Sequence, residues 1–104
     1  MIAIQTANLT KKYGDIIAIN GVDLEVEAGE IVGCLGPERS GKTTLLRLLT
    51  GLVRPTLGDS TVLGLSSVKE SRKLRAKSGI VTDTAACIGS MKAVNNLLMI
   101  ASMY

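Results

Sequence analysis

The residues Gly36-Pro37-Glu38-Arg39-Ser40-Gly41-Lys42-Thr43-Thr44 fit the spacing G-x-x-x-x-G-K-[ST]. Residue types in this pattern suit the binding of a nucleotide polyphosphate. Such an anion needs several donors at short range, and backbone N–H groups supply them only where little side chain intervenes. Gly36 and Gly41 permit that close approach. The Lys42 ammonium is then placed for the β- and γ-phosphates, and the Thr43 hydroxyl for Mg²⁺. The plainer reading is a glycine turn between an ordinary strand and an ordinary helix, so the flanking sequence has to decide.

The flanks favour the phosphate loop. Upstream, Ile31-Val32-Gly33-Cys34-Leu35 is a continuous apolar run and predicts a strand buried on both faces. Downstream, Leu45, Leu48, Leu49 and Leu52 recur at helical spacing and predict a helix over 43–49, with Gly51 as its stop. The N-terminus of that helix adds free N–H groups and a positive dipole end. Strand, glycine loop and helix together form the setting in which the pattern binds phosphate.

The remaining elements follow from periodicity. Residues 2–10 read as a strand, Lys11 to Asp15 as a polar turn around Gly14, and 16–19 as a second strand. Asn20-Gly21 is a strong turn signal. Val22, Leu24 and Val26 then alternate with acidic residues as a half-buried strand, and Ala28-Gly29 turns the chain. Beyond the Leu-rich helix come a loop through Pro55 and Gly58, a strand over 60–63 and a basic helix over 67–77. Residues 79–83 read as a core strand, and 92–104 as a final helix.

Composition narrows the class. With 104 residues the chain is one domain at most, and 46% hydrophobic with 20% charged residues excludes a disordered protein. Tyr13 and Tyr104 are its aromatics, so the core is aliphatic. A net charge of +3 does not argue for nucleic acid. The cations of 67–77 read as a solvated helix face, and no nucleic-acid partner is expected. No secretory leader is read at the start, because Lys11-Lys12 follow the first apolar run. Leu97-Leu98-Met99-Ile100-Ala101 is too short to span a bilayer. Cys34 and Cys87 lack disulfide or metal spacing, which suits a reducing, cytoplasmic setting.

Taken in order, the chain resembles the N-terminal part of an ATP-binding cassette (ABC) ATPase, the nucleotide-binding subunit of ABC transporters. The likeness runs along the whole chain. Leu9-Thr10-Lys11-Lys12-Tyr13-Gly14 resembles the family's aromatic loop, Gly21-Val22-Asp23-Leu24 its second β segment and Gly29-Glu30-Ile31-Val32-Gly33 its lead-in. Pro55-Thr56-Leu57-Gly58 resembles the hairpin return, 78–83 the Q-loop strand, and Asn96-Leu97 the Glu-Asn-Leu segment.

This resemblance implies an α/β P-loop NTPase (RecA-like) core, incomplete, with an N-terminal antiparallel β subdomain. Residues 1–104 would form a partial ABC-type ATP-binding domain that ends before the signature motif and Walker B strand. The implied ligands are ATP and Mg²⁺. Gly36, Pro37, Glu38, Arg39, Ser40, Gly41, Lys42, Thr43 and Thr44 would hold the phosphates. Tyr13 would stack on adenine, and Thr43 and Asp83 would serve the metal. The implied partners are a membrane-spanning transporter subunit and a second ATP-binding subunit, with the chain cytoplasmic and peripheral to the membrane. No catalytic residue is assigned.

Three positions depart from the family's pattern. Glu38 and Arg39 stand where Asn-Gly is usual, and Asp83 replaces the Q-loop glutamine. A left-handed backbone at Arg39 costs about 1 kcal/mol. The Glu38 carboxylate repels phosphate unless it turns away, and Arg39 offsets that charge, so binding is expected to weaken rather than vanish. Without Walker B residues the chain alone is not expected to hydrolyse ATP. The rival readings are a non-catalytic nucleotide-binding or interaction module and a non-functional remnant. A different P-loop class, such as a GTPase or a small-molecule kinase, is disfavoured, and the chain has no guanine-specifying Asn-Lys-x-Asp run.

Overall fold

A computed structural model describes residues 1–81, 90 and 92–101. Two long strands, β1 (Ile2–Tyr13) and β2 (Ile16–Glu27), form a hairpin closed at Gly14-Asp15. Helix α1 (Lys42–Leu49) follows, then β3 (Leu57–Val62), the short β4 (Leu65–Ser66), α2 (Ser71–Ala76) and α3 (Ala93–Ala101). The sheet has the order β2-β1-β3-β4 and every neighbouring pair is antiparallel.

The long hairpin is bent by bulges rather than broken by a turn. Asn20-Gly21 lies inside β2, not at a reversal, which corrects the turn read from sequence. Gly21 has φ 61, and its N–H donates to the Thr10 hydroxyl at 3.0 Å. The register shifts opposite it, between Leu9 and Lys11, and again between Thr6 and Leu9, where Asn8 has φ 50. A positive-φ glycine serves a bulge as well as a turn. The buried Thr6 hydroxyl repairs the disturbed ladder, donating to the Val22 carbonyl at 2.9 Å and accepting the Leu24 N–H at 2.8 Å. Likewise β1 continues through Lys11 and Lys12 to Tyr13, so the expected polar turn shrinks to two residues.

The core is aliphatic, as expected. Leu9 of β1, Ile19 of β2 and Leu48 of α1 are buried together, with Val22, Leu45 and Val53 packed around them. This contact seats α1 on the hairpin and fixes where its N-terminus points. The other end of α1 is held by α2. The Arg75 guanidinium donates to the Gly51 carbonyl at 3.2 Å, and Leu74 is fully buried. Lys73 pairs with Glu70 at 3.9 Å. The basic stretch thus forms a helix shorter than 67–77, and two of its cations bind within the chain.

The run 31–35 is not a strand. Ile31 is 101% exposed and Leu35 97%. A strand buried on both faces needs paired edges and covered faces. None of the described strands pairs with this run, and no element covers it among the described residues. Residues 79–81 also lack strand pairing, with Val81 94% exposed. The rest of that expected strand, and the end of the last helix, lie outside the described residues.

Candidate functional site

The loop between β2 and α1 closes on the side chain of Lys42. Its ammonium donates to the carbonyls of Gly36 and of Pro37, the latter at 2.8 Å. The Ser40 N–H reaches back to the Pro37 carbonyl at 3.3 Å, forming a tight turn. A Cβ on Gly36 would lie 2.7 Å from the Ser40 hydroxyl and 4.0 Å from Lys42 Nζ, so any larger residue there would push the Ser40 side chain aside.

Gly41 is the pivot into α1. It has φ 94, and a Cβ there would stand 2.4 Å from the Ala18 carbonyl oxygen. The loop therefore leans on the backbone of β2. The first helical bond runs from the Leu45 N–H to the Gly41 carbonyl at 2.9 Å, and no side chain caps the helix. The N–H groups of Lys42, Thr43 and Thr44 have no acceptor among the described residues. Free amides at the positive end of a helix dipole favour an anion.

These amides face a cleft of about 560 Å³, lined by Glu38, Arg39, Ser40, Gly41, Lys42, Thr43 and Thr44 on one side. Tyr13, Ile16, Ile17 and Ala18 of the β1–β2 hairpin line the other. Tyr13 is 45% exposed, and Lys11 Nζ sits 5.1 Å from its ring centroid. Lys11 is itself anchored to the Arg54 carbonyl at 2.8 Å, so the ring is held by a cation–π contact. The structure thus brings Tyr13 to the same cleft as the glycine-rich loop. Gly36 and Pro37 hold Lys42 rather than line the cleft. Asp83 lies outside the described residues. Arg39 has φ 63, so the left-handed backbone considered for it is present.

Ile16, Ile17 and Ala18 were not singled out from sequence. Their signal was a second strand starting with two isoleucines directly after the Tyr13 turn. A two-residue hairpin sets Ile16 opposite Tyr13, and this exposed apolar pair forms one wall with the ring.

The ABC transporter family pattern matches residues 19–102. The chain belongs to this family. This ABC family chain is 36% identical over 101 residues to a probable multidrug ABC transporter ATP-binding protein of Escherichia coli, covering 97% of this chain and 18% of that protein. It is 42% identical over 80 residues to the Nod factor export ATP-binding protein I of Rhizobium meliloti, covering 77% of this chain and 24% of that protein. A solved ATP-binding cassette, a dimer in a post-hydrolysis state with ADP and Pi, aligns with TM-score 0.81 at 30% identity, covering 97% of this chain and 48% of that one. A bacterial Atm1-family ABC exporter with ATP bound aligns with TM-score 0.76 at 29% identity, over 84% of this chain and 16% of the exporter. The chain therefore spans about half of a solved cassette and less of its longer relatives. The fold class is that of the α/β P-loop NTPases, with an antiparallel β unit ahead of the phosphate loop. No helix among the described residues is long and apolar enough to cross a membrane.

Proposed function

We propose that the chain is the nucleotide-binding part of an ABC transporter ATP-binding subunit, one that couples Mg-ATP binding and hydrolysis to transport. The observation that carries this reading is the juxtaposition at the cleft. Unbonded amides and two cations on the α1 side face a tyrosine on the hairpin side.

The residues fit the ligand. The amides of Lys42, Thr43 and Thr44 and the Lys42 ammonium take the phosphates, the ammonium preferring a charged phosphate oxygen to neutral carbonyls. The Thr43 hydroxyl, with Asp83, serves Mg²⁺, a hard cation that favours oxygen ligands. Mg²⁺, when bound, supplies charge neutralisation at the β- and γ-phosphates. Tyr13 offers a flat face to adenine, with Ile16 and Ile17 extending the apolar wall. The subunit works at the cytoplasmic face, with a membrane-spanning partner and a second ATP-binding subunit. Support for the last comes from the similar cassette solved as a dimer.

These 104 residues alone bind nucleotide without turning it over. Glu38 is the one carboxylate among the described cleft-lining residues, and it sits in the loop that takes the phosphates, whereas in-line attack needs a group that positions the water. The test is a mant-ATP titration with Mg²⁺, run beside a phosphate-release assay on the same polypeptide. Saturable binding without phosphate release is expected. Absence of binding removes the nucleotide reading, and release that vanishes in Lys42→Ala shows the enzyme to be complete.

A further inference from the structure

Arg39 stands at a loop position whose backbone its side chain disfavours, at φ 63. The side chain is exposed and lines the cleft beside Glu38 and Lys42. It makes no ion pair or hydrogen bond among the described residues, not even with Glu38. Lys42, by contrast, is engaged by the Gly36 and Pro37 carbonyls. Arg39 is thus the cleft cation whose donors are uncommitted.

We propose that Arg39 sets the affinity of this site for triphosphates, its guanidinium pairing with the outer phosphate oxygens of the bound nucleotide. The inference rests on the nucleotide reading above and adds a phosphate contact from the loop itself. A guanidinium presents its N–H groups as a planar fork that matches two phosphate oxygens, which a lysine cannot do. Exposed single ion pairs are weak in water, but a polyphosphate concentrates several charges at one place. Its positive charge, next to Glu38 in the loop but not paired with it, also lowers the repulsion that the Glu38 carboxylate exerts on the ligand. Contact with the outer phosphates makes the effect largest for ATP, smaller for ADP and absent for adenosine.

Arg39→Gln isolates the charge, because glutamine keeps a Cβ in the same left-handed backbone. Arg39→Gly relieves the backbone instead. Both are exposed loop changes, and a circular-dichroism melt confirms the fold. Titrating mant-ATP, mant-ADP and mant-adenosine at low salt, the inference expects ATP affinity to fall about tenfold in Arg39→Gln. It expects partial recovery in Arg39→Lys, a smaller loss with ADP and none with adenosine. Arg39→Gln within twofold of wild type, or Arg39→Gly binding ATP more tightly than wild type, overturns the inference. Lys42→Ala separates the two levels. If it abolishes binding while Arg39→Gln changes nothing, the nucleotide reading stands and the role of Arg39 falls. If Lys42→Ala also changes nothing, the loop is not the site and both fall.

Discussion

Gly41 shows at the scale of one residue how the site and the fold constrain each other. The spacing pattern reads this glycine as room for a phosphate. The structure adds that its missing Cβ is room for β2, whose Ala18 carbonyl would lie 2.4 Å from an added carbon. That contact joins parts of the chain far apart in sequence, so no local pattern could reveal it. Gly41→Ala is expected to lose about 2–4 kcal/mol in urea unfolding, from a strained positive φ and overpacking together. An unchanged melt contradicts the packing described. Lys42 and Thr43 were singled out because the chemistry of phosphate binding demands those types at that spacing, and both line the cleft at the start of α1. Arg39 was legible as a departure, and its left-handed backbone is observed. The isoleucines of the cleft were not, since exposed apolar residues carry no chemical pattern.

At the scale of elements, α1 was read well and the hairpin less so. Leu45 and Leu48 face the core at helical spacing, whereas Leu46 points away and is exposed. Leu52 fits the same spacing but falls past the helix end, and it too is exposed. Leu48→Ala is expected to destabilise by about 2–5 kcal/mol. Leu46→Ala, on the exposed face, should stay within about 0.5 kcal/mol. Chemical denaturation of both variants checks the pair, and equal losses contradict the orientation of α1. The Asn20-Gly21 signal was real, because the chain does need a positive φ there. What local sequence cannot say is whether that φ reverses the chain or bulges it. The decision comes from distant partners, with Leu9 opposite Val22 and Lys11 opposite Ile19.

At the scale of the molecule, the radius of gyration is 15.1 Å, against about 13 Å for a compact domain of this size. The apolar run 31–35 packs against no element among the described residues. Its composition is that of a buried strand, yet burial depends on neighbours that none of the described residues supply. Ile31→Lys with Leu35→Lys is expected to lower self-association and hydrophobic-dye binding while leaving the unfolding midpoint unchanged. A large loss of stability would show that these side chains are buried in solution. The central claim is that the loop from Gly36 to Thr43 holds the phosphates of a nucleotide. Isothermal titration of Mg-ATP into wild type and Lys42→Ala tests it most directly. The charge-assisted contact is worth about 1.5–3 kcal/mol, so the variant should bind about tenfold to over a hundredfold more weakly. Equal affinities in the two proteins would contradict the account.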